Sequence, residues 1–300
     1  MNARALGLLL GFAADRLLGD PAAYHPVAGF GTLAGRLERR LYADSRWRGV
    51  AHVAVLAGSA VALGVVAERL PARTAGTAVA TWAVLGGRTL EREAMAVHAH
   101  LAAGDLPAAR QRLTHLVGRE TSSLDESEVC RAAVESVAEN TSDAVVAPLV
   151  WGAVAGVPGL LGYRAVNTLD AMVGHRSARY ERFGWASARL DDLLNLPGSR
   201  LTGLLTLVAA PAGAARAWAG WQRDAARHPS PNAGVVEAAF AGALGVRLGG
   251  TNDYGGRVEQ RVVLGDGRAP RTDDIARATA LARRVGVGAV LVAAYAGSRR

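Results

Sequence analysis

The 300-residue chain contains no lysine, and all 34 of its Lys-plus-Arg positions are arginine. No Schiff-base lysine and no phosphate-loop lysine can operate here, so covalent-lysine catalysis and the Walker type of nucleotide site are excluded. Cys130 is the single cysteine, which excludes a disulfide framework and a thiolate zinc site. Ile275 is the single isoleucine; with arginine in place of lysine throughout, this is the mark of GC-biased coding. No dinucleotide glycine fingerprint follows a strand, and no nucleophile elbow is present. Aromatic residues make up 5% of the chain, and none interleave with a basic stripe. The net charge of +8 therefore points away from nucleic acid and towards an anionic membrane surface.

Apolar sequence is what the chain has in excess. Half the residues are hydrophobic, only a fifth are charged, and the mean hydropathy is +0.15. Apolar runs cover Ala5 to Ala14, Gly49 to Ala67, Thr74 to Gly87, Ala144 to Tyr163, Leu201 to Ala215 and Val285 to Ser298. A helix needs about 20 residues to cross a hydrocarbon core of about 30 Å, and only the second and fourth runs reach that length unaided. The second and third, joined by the tight linker Glu68 to Arg73, read as an antiparallel hairpin. The first run lacks a small-residue cleavage site and is expected to be a retained helix. The last follows a helix start at Thr272 with Asp273 and Asp274 in its first turn. The fold expected is all-α: a polytopic integral membrane protein with helical cytoplasmic segments, in one domain spanning 1–300.

The four long polar segments between the runs are all Arg-rich, so positive-inside counting puts every one in the cytoplasm. A straight span at Ala144 to Tyr163 would place its two flanks in opposite compartments. Pro148 and Gly156-Val157-Pro158-Gly159 lie within that run and would break a straight helix. A broken or re-entrant helix is therefore expected, with both flanks facing one site.

The flanks are chemically alike. Arg131, Glu135, Glu139 and Asp143 fall four residues apart, which on a helix makes one acidic stripe headed by an arginine. Asn140-Thr141-Ser142-Asp143 is echoed by Asn167-Thr168-Leu169-Asp170, and Asp191-Asp192-Leu193-Leu194-Asn195 repeats the chemistry. Carboxylate and carboxamide oxygens are the hard ligands that hold magnesium on phosphate substrates, although the same residues also cap helices. Upstream, Gly19-Asp20-Pro21 forms a turn before His25-Pro26-Val27. His25 has the chemistry of a general acid or base, and equally that of a backbone-satisfied histidine. Ser230-Pro231-Asn232-Ala233-Gly234 is a proline-rigid loop that either binds substrate or caps the helix after it.

These motifs in this order resemble the CobD/CbiB family of cobalamin biosynthesis, adenosylcobinamide-phosphate synthase. The residues that carry the resemblance are Asp15 with Gly19-Asp20-Pro21 and His25-Pro26-Val27; Gly118-Arg119-Glu120; Ala133 to Asn140; Tyr163 to Asp170; Tyr180 with Phe183-Gly184; Ala188 to Asp192; and Ser230 to Gly234. They span nearly the whole chain. Glu120 stands where many relatives are expected to carry Asp, a change that keeps the charge.

The resemblance implies a multi-pass protein of the inner membrane with its active site on the cytoplasmic side. It implies a C–N ligation: aminopropanol phosphate joined to a propionate carboxyl of adenosylcobyric acid, with ATP as co-substrate and magnesium as the metal. Its implied partners are these corrinoid and amine substrates, the lipid bilayer, and other cobalamin-assembly membrane proteins. On this reading Asp20, His25, Glu135 and Glu139 are the catalytic candidates. Asp15, Arg119, Arg164, Arg189, Ser230 and Asn232 bind substrate, and Asn140, Asp143, Asn167, Asp170, Asp191 and Asp192 surround the metal. A membrane regulator of the AmpE type, or a corrinoid transport component, would need the apolar runs without the full acidic and asparagine set.

Overall fold

The computed structural model describes residues 2–299 apart from 22–24, 176 and 254–257, with backbone alone at 251–253 and 258–261. Its helices are α1 (Ala3–Leu18), α2 (Pro26–Leu41), α3 (Arg46–Glu68), α4 (Arg73–Val84), α5 (Gly87–Ala102), α6 (Leu106–Leu113), α7 (Glu126–Thr141), α8 (Ala147–Leu169), α9 (Trp185–Ala209), α10 (Ala214–Asp224), α11 (Ala233–Leu244) and α12 (Thr272–Ser298). One antiparallel hairpin, β1 (Leu248–Asp253) and β2 (Val258–Leu264), interrupts them. Local chemistry sets many of the helix starts. Asn2 accepts from the Ala5 amide, Asp105 caps α6, and Asp125 and Glu128 form a reciprocal capping box on α7.

α3, the bent stretch Glu126–Gly174 and α12 are long and apolar enough to cross a membrane, and a broken pair at α9, bent by 104° before Pro211, makes a fourth candidate. The protein is a polytopic helical membrane protein. α12, open in sequence to being a short span or a half-buried helix, is a spanning candidate because its apolar second half continues a helix begun at Thr272. One detail differs from the sequence reading. The β-hairpin went unread because it is short and lies inside a long polar segment.

The chain divides into two compact units. The first comprises 1–86, 143–198 and 289–300, and the second 87–142 and 199–288. In the first unit, α4 lies along α1 more than along α3, so the expected α3–α4 hairpin is not the main packing. At 12 residues α4 is also about 18 Å long, too short to cross unaided. The cause is a stripe of small residues. A Cβ added at Gly7 would lie 2.5 Å from the Thr77 Cβ, and Gly11 meets Thr81 in the same way. Such close backbone approach is a main source of helix adhesion in lipid, where no hydrophobic drive operates between helices. α3 presents Gly64 to Pro158 instead.

The turn in α8 organises the first unit. Gly156 adopts φ 64° and ψ −144°, a conformation that a residue with a Cβ rarely takes, and Pro158 lacks the amide that would continue the ladder. The chain doubles back: Gly152 packs on Leu160, and Gly159 on the Trp151 carbonyl. The α8 arm that returns runs beside α3 to a core of Ala34, Val53, Leu56 and Leu169, joined by Phe30, Leu37, Met172 and Leu190. In the second unit α11 is buried along its whole length from Gly234, as expected of a helix that is apolar all round.

Candidate functional site

Doubling back at Gly156 brings the segment before α8 against its second arm. The Tyr163 hydroxyl lies 3.0 Å from the Asp143 carbonyl oxygen, although 20 residues of straight helix would separate them by about 30 Å. Each flank is wound as a π-turn, Ser142–Val146 before α8 and Asp170–Gly174 after it. Such turns insert an extra residue and occur often at functional sites. They carry Asp143 and Asp170, so the α-helical spacing of the expected acidic stripe does not extend to Asp143.

A circuit of hydrogen bonds starts from this junction. Besides facing Asp143, the Tyr163 hydroxyl lies 2.7 Å from Asn195 Oδ1, and Asn195 Nδ2 donates to Asp191 Oδ2 at 2.9 Å. The other Asp191 oxygen accepts from Asn167 Nδ2 at 3.3 Å, and Asn167 Oδ1 accepts from Arg164 Nη1 at 3.2 Å. Tyr163 and Asn167 share one face of α8, Asp170 opens the π-turn that follows it, and Asp191 and Asn195 are one face of α9. Asp170 feels the charges of Asp191 and Asp192, and Arg164 feels those of Asp20 and Asp143. Among the described residues Asp191 has no cationic partner, and the Asp170 side chain makes no hydrogen bond or ion pair. Arg164 Nε is buried and has no hydrogen-bond partner among those residues.

Asp20 reaches this region because Gly19 ends α1 at φ 65° and its carbonyl accepts from Trp82 Nε1 at 3.0 Å. His25 is held by the backbone, the second of its two expected readings. Its Nδ1 accepts the Val27 amide as the cap of α2, while Nε2 lies 3.6 Å from Asp20 Oδ1. Asp15 is buried one turn before Gly19. Arg189 is mostly exposed and pairs with Asp192 at 3.8 Å.

The remaining candidates belong to the second unit and form two groups. Glu135 is 4% exposed. One oxygen accepts from Arg119 Nη2 at 2.8 Å, and the other accepts the Gly249 amide at 2.8 Å and lies 3.8 Å from Arg131 Nη1. Arg131 also donates to the Gly249 carbonyl. Glu139, one turn on, makes no hydrogen bond or ion pair among the described residues, and Asn140 Nδ2 turns back to Ser136. In the loop before α7, the Thr121 and Ser122 amides hold the exposed Glu120 carboxyl below its usual range.

The second group is the Ser230 to Gly234 loop. Ser230 Oγ accepts the Asn232 and Ala233 amides, which favours the capping reading of this loop. Asn232 Oδ1 accepts from Ser199 Oγ and Arg200 Nη1, both at 2.8 Å. His228 lies 3.8 Å from the buried Glu237.

Tyr163 and Asn195 stand inside the sequence motifs with no role evident from residue type; the signal for one is their helical spacing from Asn167 and Asp191. No three of His, Cys, Asp or Glu among the described residues converge to form a metal site by themselves. The first-unit residues Asp143, Asp170, Asp191 and Asn167 offer hard oxygen donors. They suit an ion that is completed by substrate oxygens and water, the usual manner for magnesium.

Residues 8–282 match the family model described as CobD/Cbib protein. The chain is 51% identical over 306 residues to a protein named Cobalamin biosynthesis protein CobD from Mycobacterium tuberculosis, covering 99% of this chain and 97% of the relative. It is 46% identical to one of the same name from Rhodobacter capsulatus (97% and 96% covered) and 44% identical to another from Chromobacterium violaceum (93% and 92%). No solved structure matches it significantly. A match of this extent places the chain in the CobD/CbiB family of cobalamin biosynthesis proteins.

Proposed function

We propose that the protein is an amide ligase of corrinoid assembly. It would join the amine of aminopropanol phosphate to a propionate carboxyl of adenosylcobyric acid, with ATP consumed, to give adenosylcobinamide phosphate. The observation that carries this reading is the α8–α9 circuit. Among the described residues it sets Asp170 and Asp191, which have no cationic partner, near Arg164, whose Nε has no hydrogen-bond partner; this suits a substrate bringing phosphate oxygens together with a divalent cation.

A carboxylate does not acylate an amine unactivated. In the proposed reaction the propionate oxygen attacks the γ-phosphorus of ATP, ADP departs, and the amine nitrogen then attacks the acyl carbon as phosphate leaves. Magnesium, when bound, would neutralise phosphate charge, and Asp143, Asn167, Asp170 and Asp191 are the residues to hold it. Arg164, with Arg189 nearer solvent, would bind phosphate oxygens, whereas Arg119 is committed to Glu135. The amine must shed a proton, and the His25–Asp20 pair is the candidate acceptor. The ring tautomer that caps α2 through Nδ1 carries its proton on Nε2, so proton uptake there requires the cap bond to be given up or Asp20 to take the proton.

We further propose that this site faces the cytoplasm at the inner membrane. In the first unit, Arg39, Arg40, Arg46, Arg48, Arg179 and Arg182 cluster around the α2–α3 loop and the segment before α9, the same end as Asp170.

Membranes carrying the protein, incubated with adenosylcobyric acid, aminopropanol phosphate and magnesium ATP, should yield the amide, detected by mass. Asp143→Ala should abolish product while the protein still inserts. Full activity in that variant would remove Asp143 from the site, and corrinoid uptake without amide would make the protein a transport component.

A further inference from the structure

The turn at the far end of the α8 hairpin is held by two charges that the proposed chemistry does not use. Glu68, the last residue of α3, accepts the Val157 amide at 3.0 Å. Arg4 Nη1 donates to the Ala153 carbonyl at 3.3 Å, and Arg4 and Glu68 lie 3.8 Å apart. The first half-helix of α8 ends near Ala155 and the second begins at Val157. An anion therefore sits at a helix start and a cation at a helix end, each matched to the half-helix dipole it faces and to a backbone group that the break leaves open. At membrane depth such groups are costly to leave unmet.

We propose that Arg4 and Glu68 are positioning residues for the site, a clamp on the α8 break that sets where Asp143 meets Tyr163. Asp143 lies about 20 Å along one arm from the turn and Tyr163 about 10 Å along the other. Both arms are helical between the turn and this contact, so a change of angle or register at the turn displaces Asp143 relative to Tyr163. This rests on the ligase reading only for its activity arm.

The test uses the full chain in detergent or nanodiscs, with two readouts: amide exchange by mass spectrometry over 142–147 and 153–160, and amide product per folded molecule. Glu68→Ala should speed exchange in both segments and lower product about ten- to a hundredfold, the scale of a small remote displacement. Glu68→Gln keeps an oxygen for the Val157 amide and should restore both. The double variant R4E/E68R restores an ion pair but reverses both caps, and should restore neither.

Rescue by the double variant would reduce the pair to a simple salt bridge and overturn the proposal. So would unchanged exchange in Glu68→Ala, or faster exchange at the turn alone with full product. If Glu68→Ala does not fold, Arg4→Met and Glu68→Gln carry the same comparison. If the unsubstituted protein makes no amide, the ligase reading fails, and exchange over 142–147 decides the clamp.

Discussion

Glu135 is buried and Asp191 half-buried, and these two acids are satisfied in opposite ways. Glu135, in the second unit, is ringed by Arg119, Arg131 and the Gly249 amide. Asp191, in the first, is held by the amides of Asn167 and Asn195 and has Asp170 and Asp192 as its charged neighbours. A charge neutralised inside the fold is available only to the fold. A charge oriented by neutral donors and left beside other acids favours a cation from outside. Both were site candidates by residue type, and their partners separate them.

The comparison can be broken at either end. The largest effect is expected at Glu135. Glu135→Ala leaves Arg119 and Arg131 without their acid and should cost about 3–5 kcal/mol, seen as a lower thermal midpoint and less folded protein after solubilisation. A stable variant inactive in the amide assay would instead return Glu135 to the catalytic set.

Asp170→Asn removes charge where no hydrogen bond or ion pair is lost. Product should fall about a hundredfold, the scale of deleting one preorganised electrostatic group, with the thermal midpoint unchanged or raised by relief of repulsion. Unaltered activity would detach Asp170 from the proposed cation site.

The smallest effect belongs to Tyr163→Phe, which strips a hydroxyl from between Asp143 and Asn195. It should cost about 1–2 kcal/mol of stability and reduce turnover several-fold. A thermal midpoint and rate equal to those of the unsubstituted protein would show that this link does not hold the arms together.

Much of the first unit was legible before any coordinates. Gly156 and Pro158 signalled a break in the longest uncharged run, whereas Pro148, also expected to break it, takes the first turn of α8, where a missing amide costs nothing; Arg-rich flanks on both sides favoured a return. The paired Asn-Thr-x-Asp motifs marked its ends. The α1–α4 pairing was not legible, because Gly7 and Gly11 reveal a close approach only when Thr77 and Thr81 are placed against them. Glu135 could not be sorted from Asp191 either, since its neutralising partners come from Arg119 and from Gly249, 114 residues away.

By itself the sequence determined the family, the helical membrane class and the doubling back of α8. Apolar run length, proline and glycine act locally, and the motif order is a property of the chain alone. Only the tertiary structure decided which charges are spent and which are left open. Neutralisation of a buried acid depends on what lies within a few ångströms of it, and those neighbours are brought by packing from distant parts of the chain.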